Sequence, residues 1–197
     1  MTLKRTTDIF GSIAGLLLIA PLAPLIALAI KLEDHGSILV KLPRISEGHV
    51  IFVYKFRSMV TNAHLQKSSL SHLNERIDGP FFKIKDDPRL TRIGKFLRKF
   101  RLDEFPQLWN VLKGELSLVG PRPHEPEEVI LYPEKYQHIV FAKSGATGLS
   151  QVNGASSLPF LEELELDNLY LEQWSLKLDA HIIAQTIKII FTDSNAV

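Results

Sequence analysis

The 197-residue sequence predicts an α/β fold, mainly helical with a small sheet, led by a proline-broken re-entrant membrane helix and carrying amphipathic helices in the membrane interface. Three observations predict it. Ile9–Ile30 holds no charged residue and contains Pro21 and Pro24. Val50, Ile51, Phe52, Val53 and Tyr54 form a β-branched and aromatic run. Ile93, Phe96, Leu97 and Phe100 recur at helical spacing, as do the apolar residues of Trp174–Phe191.

The apolar segment is long enough to reach across a bilayer as a straight helix. Each proline removes a backbone donor and clashes with the preceding turn, so a kink or break is expected near Ala20–Pro24. Lys4 and Arg5 precede the segment and Lys31 follows it, so basic residues give no orientation for a full crossing. A helix that enters, bends and returns to the same face is favoured over a kinked crossing. A cleaved signal is rejected, because the apolar stretch runs straight into Lys31 without a small-residue cleavage site. This divides the chain into an anchor over 1–32 and a catalytic domain over 33–197.

Ile38–Val40 and Val50–Phe56 are expected as short strands, separated by a turn over Pro43–Gly48. Thr61–Arg76 is polar and expected to be helical. In the helix around Ile93–Phe100, Arg92, Lys95, Arg98, Lys99 and Arg101 surround a narrow apolar arc. Such a helix suits a membrane interface or an ordinary core. A helix is expected to start near Asp103 and continue through Leu108–Leu112, with Gly114 as its cap. Pro121-Arg122-Pro123 enforces an extended turn, and Ser144–Gly154 reads as a loop.

Charge is segregated although the net value is only +1. The stretch from Lys83 to Arg101 holds eight basic residues against Asp86 and Asp87, whereas Glu162 to Glu172 carries only acids. The basic block attracts phosphates or anionic lipid, unless it is simply a solvated face. Few aromatics interleave it, which argues against nucleic acid. The absence of cysteine excludes disulfides, thiolate metal sites and a cysteine nucleophile. The seven histidines lack metal-ligand spacing, and His124 reads as a lone surface histidine. No phosphate loop or dinucleotide fingerprint is present.

Asp103 and Glu104 are the best candidates for chemistry. A carboxylate can attack phosphorus, and Mg²⁺ held by a second carboxylate would relieve the like-charge repulsion. Arg98 and Arg122 are candidate phosphate forks on either side. The competing reading is an Asp cap beside a surface Glu, and on those residues alone it outweighs catalysis.

A resemblance changes that balance. The stretch Lys83–Gly94 leads through Leu97-Arg98 into Leu102-Asp103-Glu104-Phe105-Pro106-Gln107-Leu108-Trp109-Asn110-Val111-Leu112-Lys113-Gly114 and then Ser117–Pro123. To these add Lys4-Arg5 with Asp8, Lys55-Phe56-Arg57-Ser58-Met59, Thr147-Gly148, Gln151-Val152-Asn153-Gly154, and Trp174-Ser175 with Asp179. In this order, over nearly the whole chain, they resemble the bacterial sugar transferases, monotopic polyprenyl-phosphate phosphoglycosyl transferases.

The resemblance implies a re-entrant helix broken near Pro21 that enters one leaflet, at the cytoplasmic face of a bacterial inner membrane. It implies that Asp103 attacks the β-phosphate of a UDP-sugar, that UMP leaves, and that polyprenyl phosphate then takes up the sugar phosphate. Glu104 matches the Mg²⁺-binding carboxylate. Arg98, Arg122, Lys55 and Arg57 match phosphate-binding positions, and Thr147, Gly148, Gln151 and Asn153 the nucleotide-sugar loop. Trp174-Ser175 and Gly148-Leu149 lean towards hexose-1-phosphate transferases. The chain departs from the family pattern at Ala20, at Val40, Leu42 and Ser46, at Phe141, at Ser144–Gly148, and at Ala155, where an arginine is usual. These departures keep open a catalytically idle relative that serves as an assembly partner. A lipid-binding module without chemistry would leave the acidic pair unexplained. A homodimer through the C-terminal helix is left open.

Overall fold

The computed structural model describes residues 3–76, 78–154 and 157–192. Helices α1 (Leu3–Ile19) and α2 (Ala23–Glu33) meet at a bend of 59° across a short break that contains Pro21. Pro24 lies in the first turn of α2, where its missing N–H costs nothing. Among the described residues no single helix is long and apolar enough to cross a membrane, although the bent pair together passes by length and composition. Ile19, Ile26 and Ile30 pack against Phe56 and Leu97. Phe10, Leu17, Leu18, Leu25, Leu28 and Leu32 are each more than half exposed, an apolar surface that the rest of the described chain leaves uncovered.

Both ends of this pair are tied to the body. Arg5 donates to the carbonyls of Val111 and Leu112 (2.6 and 2.7 Å), and Lys4 donates to Asp179 at 2.7 Å. Buried Asp8 accepts from Ser117 Oγ and Leu118 N. At the far end the Glu33 carboxylate accepts from Arg92 N and Ile93 N at 2.7 and 2.9 Å, capping the helix that begins there.

Strands β1 (Leu39–Ser46) and β2 (His49–Phe56) form one antiparallel hairpin. The expected turn over Pro43–Gly48 shrinks to Glu47-Gly48, both with positive φ (52° and 74°), as a two-residue hairpin turn requires. Pro43 stands within β1 opposite Phe52; in a two-stranded ribbon each strand is an edge, where proline is tolerated. The other edge of β2 is satisfied by Asn110, which accepts from Tyr54 N (3.0 Å) and donates to Phe52 O (2.8 Å).

Thr61–Arg76 is not a continuous helix. Only the 3₁₀ turns Ala63–Gln66 and Ser71–Leu73 form, because the segment has no apolar stripe to bury, and Leu65 stays 68 % exposed. Helix α3 (Arg92–Lys99) forms, with Thr91 Oγ1 accepting from Gly94 N as its N-cap. Its apolar arc splits: Leu97 is buried, while the Phe96 and Phe100 rings meet at a tilt of 58° at the surface. Helix α4 (Gln107–Lys113) starts after Pro106 and ends at Gly114 with φ 89°.

The expected loop Ser144–Gly154 is also partly ordered. Strands β3 (Ser117–Val119) and β4 (Gly145–Thr147) pair in parallel, following helix α5 (Pro126–Val129) in the case of β4, and helix α6 (Leu149–Val152) comes next. Gly145 permits this closeness: a Cβ there would lie 2.1 Å from Gly120 N. The acidic run forms α7 (Phe160–Glu172). Helix α8 (Leu176–Thr192) begins just after Ser175, whose Oγ accepts from Leu178 N. Of the polar residues Lys177, His181, Gln185 and Lys188 along α8, all but the half-buried Gln185 lie exposed.

Candidate active site

The end of β2 turns the Lys55 side chain to the same face of the hairpin as buried Val53. The chain then reaches Arg101, whose φ of 53° reverses it into a 3₁₀ turn, Leu102–Glu104. Asp103 and Glu104 therefore sit in a tight turn ahead of α4 and not in the helix's own first turn, as expected from Pro106. Proline fits the α4 N-cap position (φ −60°), which delays the helix to Gln107. Lys55 Nζ meets Glu104 Oε1 at 2.5 Å.

An open cleft of about 170 Å³ spreads from this pair. Lys55, Glu104, Gln107, Arg122 and Gln151 line it, together with Arg44, Arg76, Lys83, Phe81 and Phe82. His124, Glu125, Glu128 and Glu163 complete the wall. Asp103 is only 6 % exposed and is not among the residues that line the cleft, although its chain neighbour Glu104 is.

The two neighbouring carboxyls are driven apart electrically. Burial disfavours ionisation of Glu104, but the Lys55 charge and hydrogen bond, with Arg122 and Arg101, outweigh it and hold its pKa at about 2. Glu104 also keeps 34 % of its side chain exposed. Burial pushes Asp103 the other way, above 3.8; the Glu104 charge adds to the rise, while Lys55 and Arg98 oppose it. Arg98 is half-buried, with Nε donating to Ser58 Oγ at 3.0 Å.

The remaining candidates divide. Arg57 is buried and held at the end of α2, donating to Asp34 O (2.5 Å) and Thr61 Oγ1 (3.1 Å), outside the cleft lining. Gln151 reaches the cleft and donates to Ala146 O. Thr147 instead bonds Thr186 of α8, Gly148 precedes α6, and Asn153 folds back onto Leu149 O. Ser144 is buried and bonded to Ile45 O and Ser46 Oγ, so its departure from the family pattern serves the hairpin contact. Phe141 is 73 % exposed and sits over Gly48. Ala155 lies outside the described residues.

His124 is not a surface histidine. It is 4 % exposed, between the Tyr132 hydroxyl and Glu163. Glu163 and Asp167 are likewise buried, although sequence reasoning singled out neither. Burial pushes Asp167 up to about 6, against the hydrogen bonds it accepts from Ser150 and Arg122 N. A signal for both was present: Phe160, Glu163, Leu164, Asp167 and Tyr170 share one face at helical spacing. Glu125 is held down despite burial by Arg44 and Lys67, at 3.2 and 3.0 Å.

The family model described as bacterial sugar transferase matches residues 1–193. The galactosyl transferase CpsE of Streptococcus agalactiae is 38 % identical over 195 residues, covering 98 % of this chain and 43 % of that protein. The undecaprenyl-phosphate galactose phosphotransferase of Salmonella typhimurium is 38 % identical over 202 residues, covering 98 % and 41 %. The exopolysaccharide production protein ExoY of Sinorhizobium fredii is 35 % identical over 188 residues, covering 93 % and 83 %. The chain thus spans about two fifths of the length of the first two relatives.

Proposed function

The chain belongs to the bacterial sugar transferase family, and from that premise we propose that it is a membrane-bound phosphoglycosyl transferase. The reaction moves a sugar-1-phosphate from a UDP-sugar to polyprenyl phosphate, of which undecaprenyl phosphate is the form named in the Salmonella relative. The observation that carries the reading is the carboxyl pair of the Leu102–Glu104 turn: Glu104 on the cleft wall bonded to Lys55 at 2.5 Å, and Asp103 buried next to it within the influence of the Lys55 and Arg98 charges.

In this reading the Asp103 carboxylate attacks the β-phosphorus of the donor. An Asp103 Oδ–P bond forms, the P–O bond to UMP breaks, and UMP carries away the bridging oxygen. A phosphate oxygen of the acceptor then attacks the same phosphorus, which frees Asp103 and yields polyprenyl-diphosphate-sugar. Arg122, on the cleft wall, supplies a planar fork for phosphate oxygens. Arg98, held by Ser58, favours the ionised nucleophile. Burial of Asp103 keeps water from competing for the intermediate.

Among the described residues no three His, Cys, Asp or Glu side chains gather as a metal cage. Mg²⁺ does not need one, since it is commonly held by one or two carboxylates plus substrate phosphates. Glu104, ionised and partly exposed on the cleft wall, fits that role. When bound there, Mg²⁺ would neutralise diphosphate charge.

The membrane arrangement is part of the proposal. Both ends of the bent helix pair bond to one body, through Lys4 and Arg5 at the start and Glu33 at the end. That favours entry into one leaflet, with the exposed leucines in lipid and the cleft at the cytoplasmic face. The test is UMP release from a panel of UDP-sugars with Mg²⁺ and polyprenyl phosphate. Release should be lost in Asp103→Asn, and intact mass should reveal a phosphosugar on wild-type Asp103. No release by folded, vesicle-inserted protein would favour the idle assembly partner.

A further inference from the structure

Helix α7 carries Glu163 and Asp167 one turn apart, 1 % and 0 % exposed, and aims both at Pro121-Arg122-Pro123. Asp167 Oδ2 accepts from Arg122 N at 3.0 Å and Oδ1 from Ser150 Oγ at 2.7 Å, which fixes the backbone. Glu163 deals with the side chain. Its Oε1 lies 3.5 Å from Arg122 Nε and 3.0 Å from His124 Nε2. Burial opposes ionisation of Glu163, but the His124 hydrogen bond and the Arg122 charge hold its pKa below the usual range. A carboxylate only accepts, so the ring proton of His124 sits on Nε2, and Nδ1 accepts from the Tyr132 hydroxyl. Phe81 stacks on the imidazole at 4.6 Å and closes one side.

This chain of contacts has a consequence at the cleft. The guanidinium is a rigid planar fork, so holding its Nε edge leaves the terminal amino edge free to meet a diphosphate bidentately. Arg122 is 34 % exposed and lies on the cleft wall. Glu104 also attracts it, whereas the hydrogen-bonded partner of Glu104 is Lys55. We infer that Glu163, seated by His124, is a positioning residue that turns Arg122 towards the donor's diphosphate and keeps it from swinging onto Glu104. The inference rests on the transferase reading for the identity of that diphosphate.

The experiment is a double-mutant cycle read by UDP binding in the presence of Mg²⁺, with full-length protein in nanodiscs. Glu163→Gln keeps the volume and removes the charge; it should weaken UDP about ten-fold and raise KM for the UDP-sugar similarly, with kcat changed by less than about three-fold. In an Arg122→Ala background the same substitution should cost nothing further. Should Glu163→Gln fail to fold, Glu163→Asp, which draws the carboxylate back by one methylene, enters the same cycle with the same expectation. UDP binding at the wild-type level in the single variant, or an equal loss with and without Arg122, overturns the inference. A wild type that binds no UDP overturns it too. If the wild type binds UDP with the expected coupling yet releases no UMP from any sugar, the positioning role stands and the transferase reading falls.

Discussion

Replacing Lys55 with Met keeps the chain length and removes the ammonium that meets Glu104 at 2.5 Å. In the wild type the pKa of Glu104 falls from 4.5 to about 2 on folding. Between those values the unfolded chain binds more protons than the folded one. The stability from this contact is therefore fully present above pH 4.5 and is lost as pH falls through about 2. In the variant burial acts on Glu104 with its principal opposing charge gone, so its pKa climbs. A hydrogen bond to a charged group contributes about 1.5–3 kcal/mol. With 34 % of the Glu104 side chain exposed, solvent screening places this pair at the low end, about 1.5–2 kcal/mol. For a domain of this size that is a Tm loss of about 3–8 °C. Thermal unfolding in nanodiscs, followed from neutral pH downward, should show a gap between wild type and variant that is largest at neutral pH and narrows as the carboxyls protonate. A gap of equal size at pH 7 and at pH 3, or none at pH 7, would refute the electrostatic account.

Two further outcomes follow from the same geometry. Asp103 must ionise to attack, and burial with the Glu104 charge raises its pKa; the UMP burst should therefore rise with pH through a value above 3.8 and move further up in Lys55→Met, whereas an acid limb at or below 3.8 would show that another group controls the step. Gly94→Ala would place a Cβ 1.8 Å from the backbone oxygen of Ser58, whose hydroxyl holds Arg98. An overpacking cost of about 1–3 kcal/mol is expected, seen as a lower Tm together with slower UMP release, and an unchanged Tm would mean that α3 can move away freely.

Legibility followed the range of the interaction. Thr91 caps α3 three residues before Gly94, and Gly114 ends α4. In both cases the partner groups lie within one turn, so residue type and spacing carry the information. Proline in a strand interior argues against a strand, and only the two-strand context removes that penalty and lets β1 run through Pro43. The strand Gly145–Thr147 takes its order from Ser117–Val119, far away in sequence, so its own residues carry only the signature of a loop. The acidic run Glu162–Glu172 illustrates the same limit for charge: an all-acid stretch reads as solvated, yet Glu163 and Asp167 turn inward to His124, Ser150 and Arg122.

By itself the sequence determined which side chains stand next to each other along the chain: the apolar segment interrupted by Pro21 and Pro24, the Asp103-Glu104 pair, and Arg122 between two prolines. Those are covalent facts, and with the family resemblance they point to the chemistry. Tertiary structure decided what each carboxyl experiences. It brought Lys55 to Glu104 across 49 residues, left Asp103 buried beside them, and carried Arg57 away to Asp34. A pKa or a guanidinium's direction depends on burial and on charges within a few ångströms, and the groups within that distance are supplied by segments the chain brings together only when it folds.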